Sequence, residues 1–168
     1  SFKKWEGKRS AAQITEVKVL NEHGAKALGK PMGSYLTLEA DKLLMPDEDF
    51  HSEVSDELAL LLKGLLKQKT GKNILVAGLG NQSVTPDSLG PRTVSNLCVS
   101  AEGLKAIAPG VMAQTGMETA RILLGIIKEV QPDLVIAIDA LAARSIRRLG
   151  TTIQLTDTGI HPGSGVGN

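Results

Sequence analysis

Three acids and a histidine stand where they could do chemistry: Asp87, Asp139, Asp157 and His161. Asp87 lies in Val84-Thr-Pro-Asp-Ser-Leu-Gly-Pro91, shortly after the apolar run Asn73–Ala77 and the turn Gly78-Leu-Gly-Asn81. In open α/β sheets, ligands bind beyond the carboxyl ends of the strands, which is where Asp87 falls. A loop turn is the competing role, because Asp favours turns and helix caps. Asp139 directly follows the apolar run Leu134–Ile138. An acid at the end of such a strand must be solvated, paired or used. Capping a helix that starts at Ala140 is the competing role, and it is compatible with catalysis. Asp157 and His161 follow a third strand and are expected to face the same crevice. Asn81, Asp157 and His161 are candidates for supporting the acids or touching substrate. Asp157 as a plain turn-maker is the competing role.

Other chemistries fit less well. Gly78-Leu-Gly80 starts like a dinucleotide fingerprint, but position 83 is Ser and the acid expected ~20 residues on is missing. Asp157-Thr-Gly159 matches the short motif of pepsin-like and retroviral proteases, whose folds are all-β. This chain alternates strands with helices, so the match is a decoy. Arg144, Arg147 and Arg148 read as a solvated face near a helix C-terminus, where cations are favoured, ahead of an anion site. His23 and His51 have no partner by spacing. Cys98 has no basic neighbour to activate it. No G-x-S-x-G elbow is present, and Gly163-Ser-Gly165 lacks its spacing.

The elements that must position these residues follow from periodicity. Residues 1–13 are polar and basic and read as a loose arm. Ile14–Leu20 and Ser34–Glu39 read as strands of a β-hairpin, with the turn-rich stretch Asn21–Gly33 as its long loop. Asp47 opens a helix carrying Phe50, Val54, Leu58, Leu61, Leu62 and Leu65 on one face, up to about Lys69. Asn73–Ala77 is an uninterrupted apolar run, as in a parallel strand buried on both faces. Thr115 and Glu118 have capping-box spacing for a helix reaching about Val130. Gln131–Asp133 is a turn, and Leu134–Ile138 a second buried strand. Ala140–Leu149 is predicted as a helix stopped by Gly150, and Thr151–Leu155 as a third strand. The expected fold is α/β: a three-layer α/β/α arrangement with a mostly parallel central sheet, plus an N-terminal β-hairpin, in a single domain over 1–168.

Bulk properties narrow the partners. The formal net charge is +1, so no general pull toward nucleic acid or membrane is expected. Aromatics are 2% of the chain, which argues against platforms that stack single-stranded bases. A single cysteine permits no intrachain disulfide and no Cys-rich zinc site, in keeping with a reducing, intracellular compartment. Apolar runs such as Ile122–Ile127 are too short to cross a bilayer. The segment Ser1–Glu6 has no apolar stretch behind it and does not read as a secretory signal.

Several segments together resemble the germination protease family of spore-forming bacteria. They are Val84–Pro91, Ala108-Pro-Gly-Val-Met112, Ile136-Ala-Ile-Asp-Ala-Leu-Ala-Ala-Arg-Ser145 and Asp157-Thr-Gly-Ile-His-Pro-Gly-Ser-Gly-Val-Gly-Asn168. Val19–Glu22, Gly29–Gly33 and Leu36–Glu39 fit as well. The resemblance implies an endopeptidase that degrades the small acid-soluble proteins of the spore during germination. It implies a cytoplasmic setting in the forespore or spore core, a zymogen, and a homo-oligomer that is a tetramer in the family. Its fold is similar to that of hydrogenase maturation endopeptidases. The family's catalytic pair falls on Asp87 and Asp139. Against the family pattern, the chain is expected to be a core fragment lacking the propeptide, part of a loop after Ser100 and a C-terminal portion.

Two close carboxylates cannot both ionise easily, so they share a proton and titrate as a unit. The ionised member takes a proton from water and the protonated one donates to the peptide carbonyl. No cofactor is needed for this. Two alternatives remain. In the maturation endopeptidases, acids and a histidine at the positions of Asp87, Asp139 and His161 bind metal, so a divalent ion could assist. From another class, the chain could be a non-enzymatic α/β binding module.

Overall fold

Two sheets, one antiparallel and one parallel, organise the described residues, where the sequence predicted a mostly parallel central sheet plus an N-terminal β-hairpin. The computed structural model describes residues 1–66, 71–99, 102–143 and 145–160. It divides into two units, Ser1–Gln68 with Ala143–Gly159 and Lys69–Ala142 with Ile160–Asn168.

The first unit holds an antiparallel sheet in the order β1 (Phe2–Glu6), β2 (Gln13–Val19), β3 (Gly33–Glu39) and β7 (Thr152–Thr156). The hairpin forms as predicted, with Ile14 opposite Leu38 and Val17 opposite Tyr35. Leu36 and Leu38 are buried and their neighbours are not, the period-2 signature of a sheet covered on one face. The predicted loose arm is strand β1 instead, paired from Phe2↔Val17 to Glu6↔Gln13. Its lysines point to solvent while its backbone completes the ladder, which suits a charged edge strand. The hairpin loop also contains a helix, α1 (Glu22–Leu28), whose Gly24 N–H donates to Asn21 Oδ1 at 2.8 Å.

Helix α2 (Glu48–Leu66) packs Phe50 and Val54 against Ala12, Leu38 and Ala40. Asp47 caps it as expected, Oδ1 accepting from Phe50 N–H at 3.0 Å. The predicted end near Lys69 lies outside the described residues. The buried face also carries an acid that periodicity did not anticipate: Glu57 is 3% exposed. Its Oε2 accepts the Arg9 N–H at 2.6 Å, tying the segment before β2 to the helix.

The second unit holds a parallel sheet in the order β5 (Leu104–Ile107), β4 (Ile74–Gly78) and β6 (Leu134–Ile138). Central β4 is buried almost throughout, as predicted. Strand β5 had no sequence prediction. Strand β6 forms where expected but alternates in exposure, with Val135 37% exposed, so it is not buried on both faces. Among the described residues, three helices accompany the sheet: α3 (Leu89–Ser95), α4 (Met112–Thr115) and α5 (Thr119–Val130). Leu123 of α5 packs on Ala77 and Leu79. The Thr115–Glu118 capping box does not form. Gly116, at φ 69°, closes α4 first, and Thr115 Oγ1 accepts from Met117 N–H instead.

Two further expectations fail. Among the described residues of Ala140–Leu149 no α-helix forms: 140–143 are irregular and Ile146–Arg148 is a short 3-10 turn. Leu141, Ile146 and Leu149 are all exposed, so no apolar face is packed to offset the cost of an isolated short helix. The third strand, β7, pairs antiparallel with β3 and not with the parallel sheet. Leu155 and Ile153 meet Leu36 and Leu38 there, which is where its apolar face is buried.

Replacing Glu57 by Ala leaves the Arg9 N–H without its acceptor. The cost should be about 1–3 kcal/mol of folding stability, read from denaturant unfolding, with Glu57→Gln losing less.

Candidate active site

The parallel register sets Gly78 of β4 beside Ile138 of β6. The two chains then stay together for one more residue, because Leu79 N–H donates to the Ile138 carbonyl at 2.7 Å. Asp139 follows immediately on one side, and the loop 80–88 leaves on the other. Both acids therefore arise at the carboxyl ends of adjacent strands in one unit, the place where α/β sheets bind ligands.

The loop is held by backbone geometry. Gly80 has φ +113°, a conformation L side chains rarely adopt, and a Cβ there would fall on the Asp87 carbonyl oxygen. The chain turns back through Thr85–Asp87, a 3-10 turn with Asp87 N–H on the Val84 carbonyl at 2.8 Å. Asp87 Oδ2 in turn accepts the Asn81 N–H at 2.8 Å. Helix α3 then begins directly over the strand ends. A Cβ on Gly90 would collide with the Leu79 backbone and the Ile138 carbonyl, so only glycine permits this approach. The predicted turn role of Asp87 is thus real, and it leaves Oδ1 of the half-buried carboxylate without a hydrogen bond among the described residues.

Asp139 is also half-buried. Burial pushes its carboxyl above the ordinary aspartate range. The Ala140 N–H pulls it partly back, and the charge of Asp87 adds to the rise. Asp139 does not cap a helix, since none follows.

Asn81 braces the loop twice. Its backbone holds Asp87, and its side-chain Oδ1 accepts from Ser83 N–H at 2.9 Å and from Gln114 Nε2 at 2.8 Å. Gln114, on α4, was not singled out from the sequence. Its link to Asn81 spans 33 positions, and no local pattern signals it.

Asp157 belongs to the first unit. It follows β7, and its Oδ1 accepts Ser34 N–H at 2.7 Å, so it serves the antiparallel sheet as a turn-maker. His161 and Arg144 lie outside the described residues, as does Gly163-Ser-Gly165. Arg148 pairs with Glu39 at 2.7 Å in a solvated position, as predicted, although the helix whose C-terminus it was expected to flank does not form. His51 Nε2 lies 3.1 Å from the Leu43 carbonyl. Cys98 is exposed. A cavity of about 590 Å³ in the first unit, walled by Lys4, Phe50, Arg147 and Thr152 among others, contains neither Asp87 nor Asp139. Among the described residues, no three His, Cys, Asp or Glu side chains cluster to hold a metal.

A sequence model of the family described as "Germination protease" matches residues 2–168. The chain belongs to the germination protease family. It is 49% identical to the germination protease of Caldanaerobacter subterraneus subsp. tengcongensis, over 93% of this chain and 52% of that protein. Identity is 46% to the Geobacillus sp. protein, covering 93% of this chain and 46% of the relative. With the Priestia megaterium protein it is 43%, over 97% and 48%. The chain therefore spans about half the length of the family members it matches. Among the described residues, no helix is long and apolar enough to cross a membrane.

The raised carboxyl of Asp139 carries a stability consequence with a definite sign. Its folded-state pKa exceeds the unfolded value, so the native state is favoured at low pH and loses stability as pH rises through the folded value. Asn at 139 removes that cost while still accepting from Ala140. Asp139→Asn should therefore raise the denaturation midpoint at pH 7 and lose that advantage at pH ~3, below both pKa values.

Proposed function

We propose that this chain is the core of an endopeptidase that hydrolyses peptide bonds with a water held between Asp87 and Asp139. One observation carries the reading: two half-buried acids arise from adjacent parallel strand ends, and burial favours the protonated form of one of them. Asp139 is then the acid and Asp87 the base. Asp87 takes a proton from water as its oxygen attacks the peptide carbon, and Asp139 gives its proton to the carbonyl oxygen. On collapse, Asp139 recovers a proton from the tetrahedral hydroxyl. Asp87 delivers its own to the departing amine as the C–N bond breaks. Both groups return to their starting state, and one water has been consumed.

Family membership supports small acid-soluble spore proteins as the substrates, cleaved during germination in the spore core. The same kinship supports an enzyme made as a zymogen and assembled as a homotetramer.

Asp139→Asn in an active preparation of the protease should cut hydrolysis of a small acid-soluble spore protein by at least ~10²-fold, judged by intact-mass analysis. Activity within a few-fold of the parent would end the dyad assignment. Loss of activity on chelation, restored by a divalent ion, would move water activation onto a metal.

A further inference from the structure

Hydrogen bonding fixes which way the Asn81 side chain faces. The Val111 N–H donates to Gln114 Oε1 at 3.4 Å, so the Gln114 Nε2 group is the end turned toward Asn81. Ser83 N–H and Gln114 Nε2 then both reach one atom of Asn81, and two donors can share only an acceptor, its Oδ1. Backbone N–H groups thus orient both amides without ambiguity. The consequence is at the other end: among the described residues, the two hydrogens on Asn81 Nδ2 have no hydrogen-bond partner. Asn81 is half-buried, follows the β4 strand end by three residues, and holds Asp87 through its own N–H. The result is a rigid, uncharged donor built into the turn that carries one acid of the pair.

On the dyad reading above, we propose that Asn81 Nδ2 is a catalytic hydrogen-bond donor to the scissile carbonyl oxygen, and that Gln114 is the residue that positions it. Peptide hydrolysis builds negative charge on that oxygen as water adds. A donor whose orientation is fixed beforehand needs no reorganisation to stabilise it. Asp139 supplies the proton, and Asn81 supplies a second, permanent contact that survives when Asp139 has given its proton away. No bond to Asn81 is made or broken.

The test is steady-state cleavage of a small acid-soluble spore protein by an active preparation, with kcat and KM resolved. Asn81→Ala should lower kcat about 10²–10³-fold and leave KM near the parent value, since one such donor typically contributes that much. The backbone N–H on Asp87 survives the change, so the pH profile should keep both limbs. Asn81→Asp retains an acceptor for Ser83 and Gln114 but lacks the donor. Because the new carboxylate lies beside Asp87 and shifts the pair's titration, its kcat is read at the plateau of its own pH profile, where it should show the same loss; this covers the case where the alanine variant is unstable. Gln114→Met, which frees Asn81 to rotate, should lower kcat about tenfold by weakening the same contact. Parent-like kcat in both Asn81 variants would overturn the assignment. So would a change confined to KM, or a loss explained wholly by a displaced pH limb. A silent Asn81 with an inactive Asp139→Asn would sink this inference alone. An active Asp139→Asn with crippled Asn81 variants would sink the dyad and leave the donor standing.

Discussion

The hydrogen bond from Leu79 N–H to the Ile138 carbonyl, 2.7 Å long, holds the ends of β4 and β6 together one step past the ladder. Everything at the candidate site is measured from it. Asp139 is the next residue on one side, and Gly80 starts the return of the loop on the other. Helix α3 closes over the junction because neither Gly78 nor Gly90 has a side chain: a Cβ on the first would strike the Gly90 carbonyl, and a Cβ on the second would strike the bonded pair itself. Backbone meets backbone across this contact. Close packing of this sort tolerates almost no change of volume.

Strand β6 is bracketed by two aspartates that the fold treats in opposite ways. Asp133, before the strand, is exposed and accepts the N–H groups of Asn73 and Lys72, both at 2.9 Å. Those bonds hold its carboxyl below the ordinary range. Asp139, after the strand, is half-buried with one backbone donor and a like charge nearby, and its carboxyl is pushed up. The same side chain thus serves as a structural pin at one end and keeps its proton more readily at the other. Solvent access and the number of N–H donors decide which.

Local patterns made much of the scaffold legible. The uninterrupted run in β4 and the alternation in β3 named their own environments, and Asp47 announced the start of α2. What escaped were elements whose side chains say little. Strand β1 is nearly all exposed and exists because its backbone has a partner in β2. Helix α1 buries no residue and depends on the Asn21 cap. Conversely, Ala140–Leu149 has the composition of a helix, yet its Leu141, Ile146 and Leu149 are exposed. Strand β7 has a plain strand pattern that cannot say which sheet it joins.

The sequence by itself determined the chemical cast: two acids behind apolar runs, a glycine-punctuated turn ahead of the first, and a family likeness carried by contiguous motifs. Those are properties of neighbouring residues, and composition and spacing express them directly. Only the tertiary structure decided that the strands behind the acids are adjacent and parallel. It alone set Asp139 half out of water and sent Asp157 to brace the other sheet. It also brought Gln114 to Asn81 from 33 positions away. These depend on pairing register and burial between segments far apart in the chain, and no local pattern encodes which distant backbone a given N–H will find.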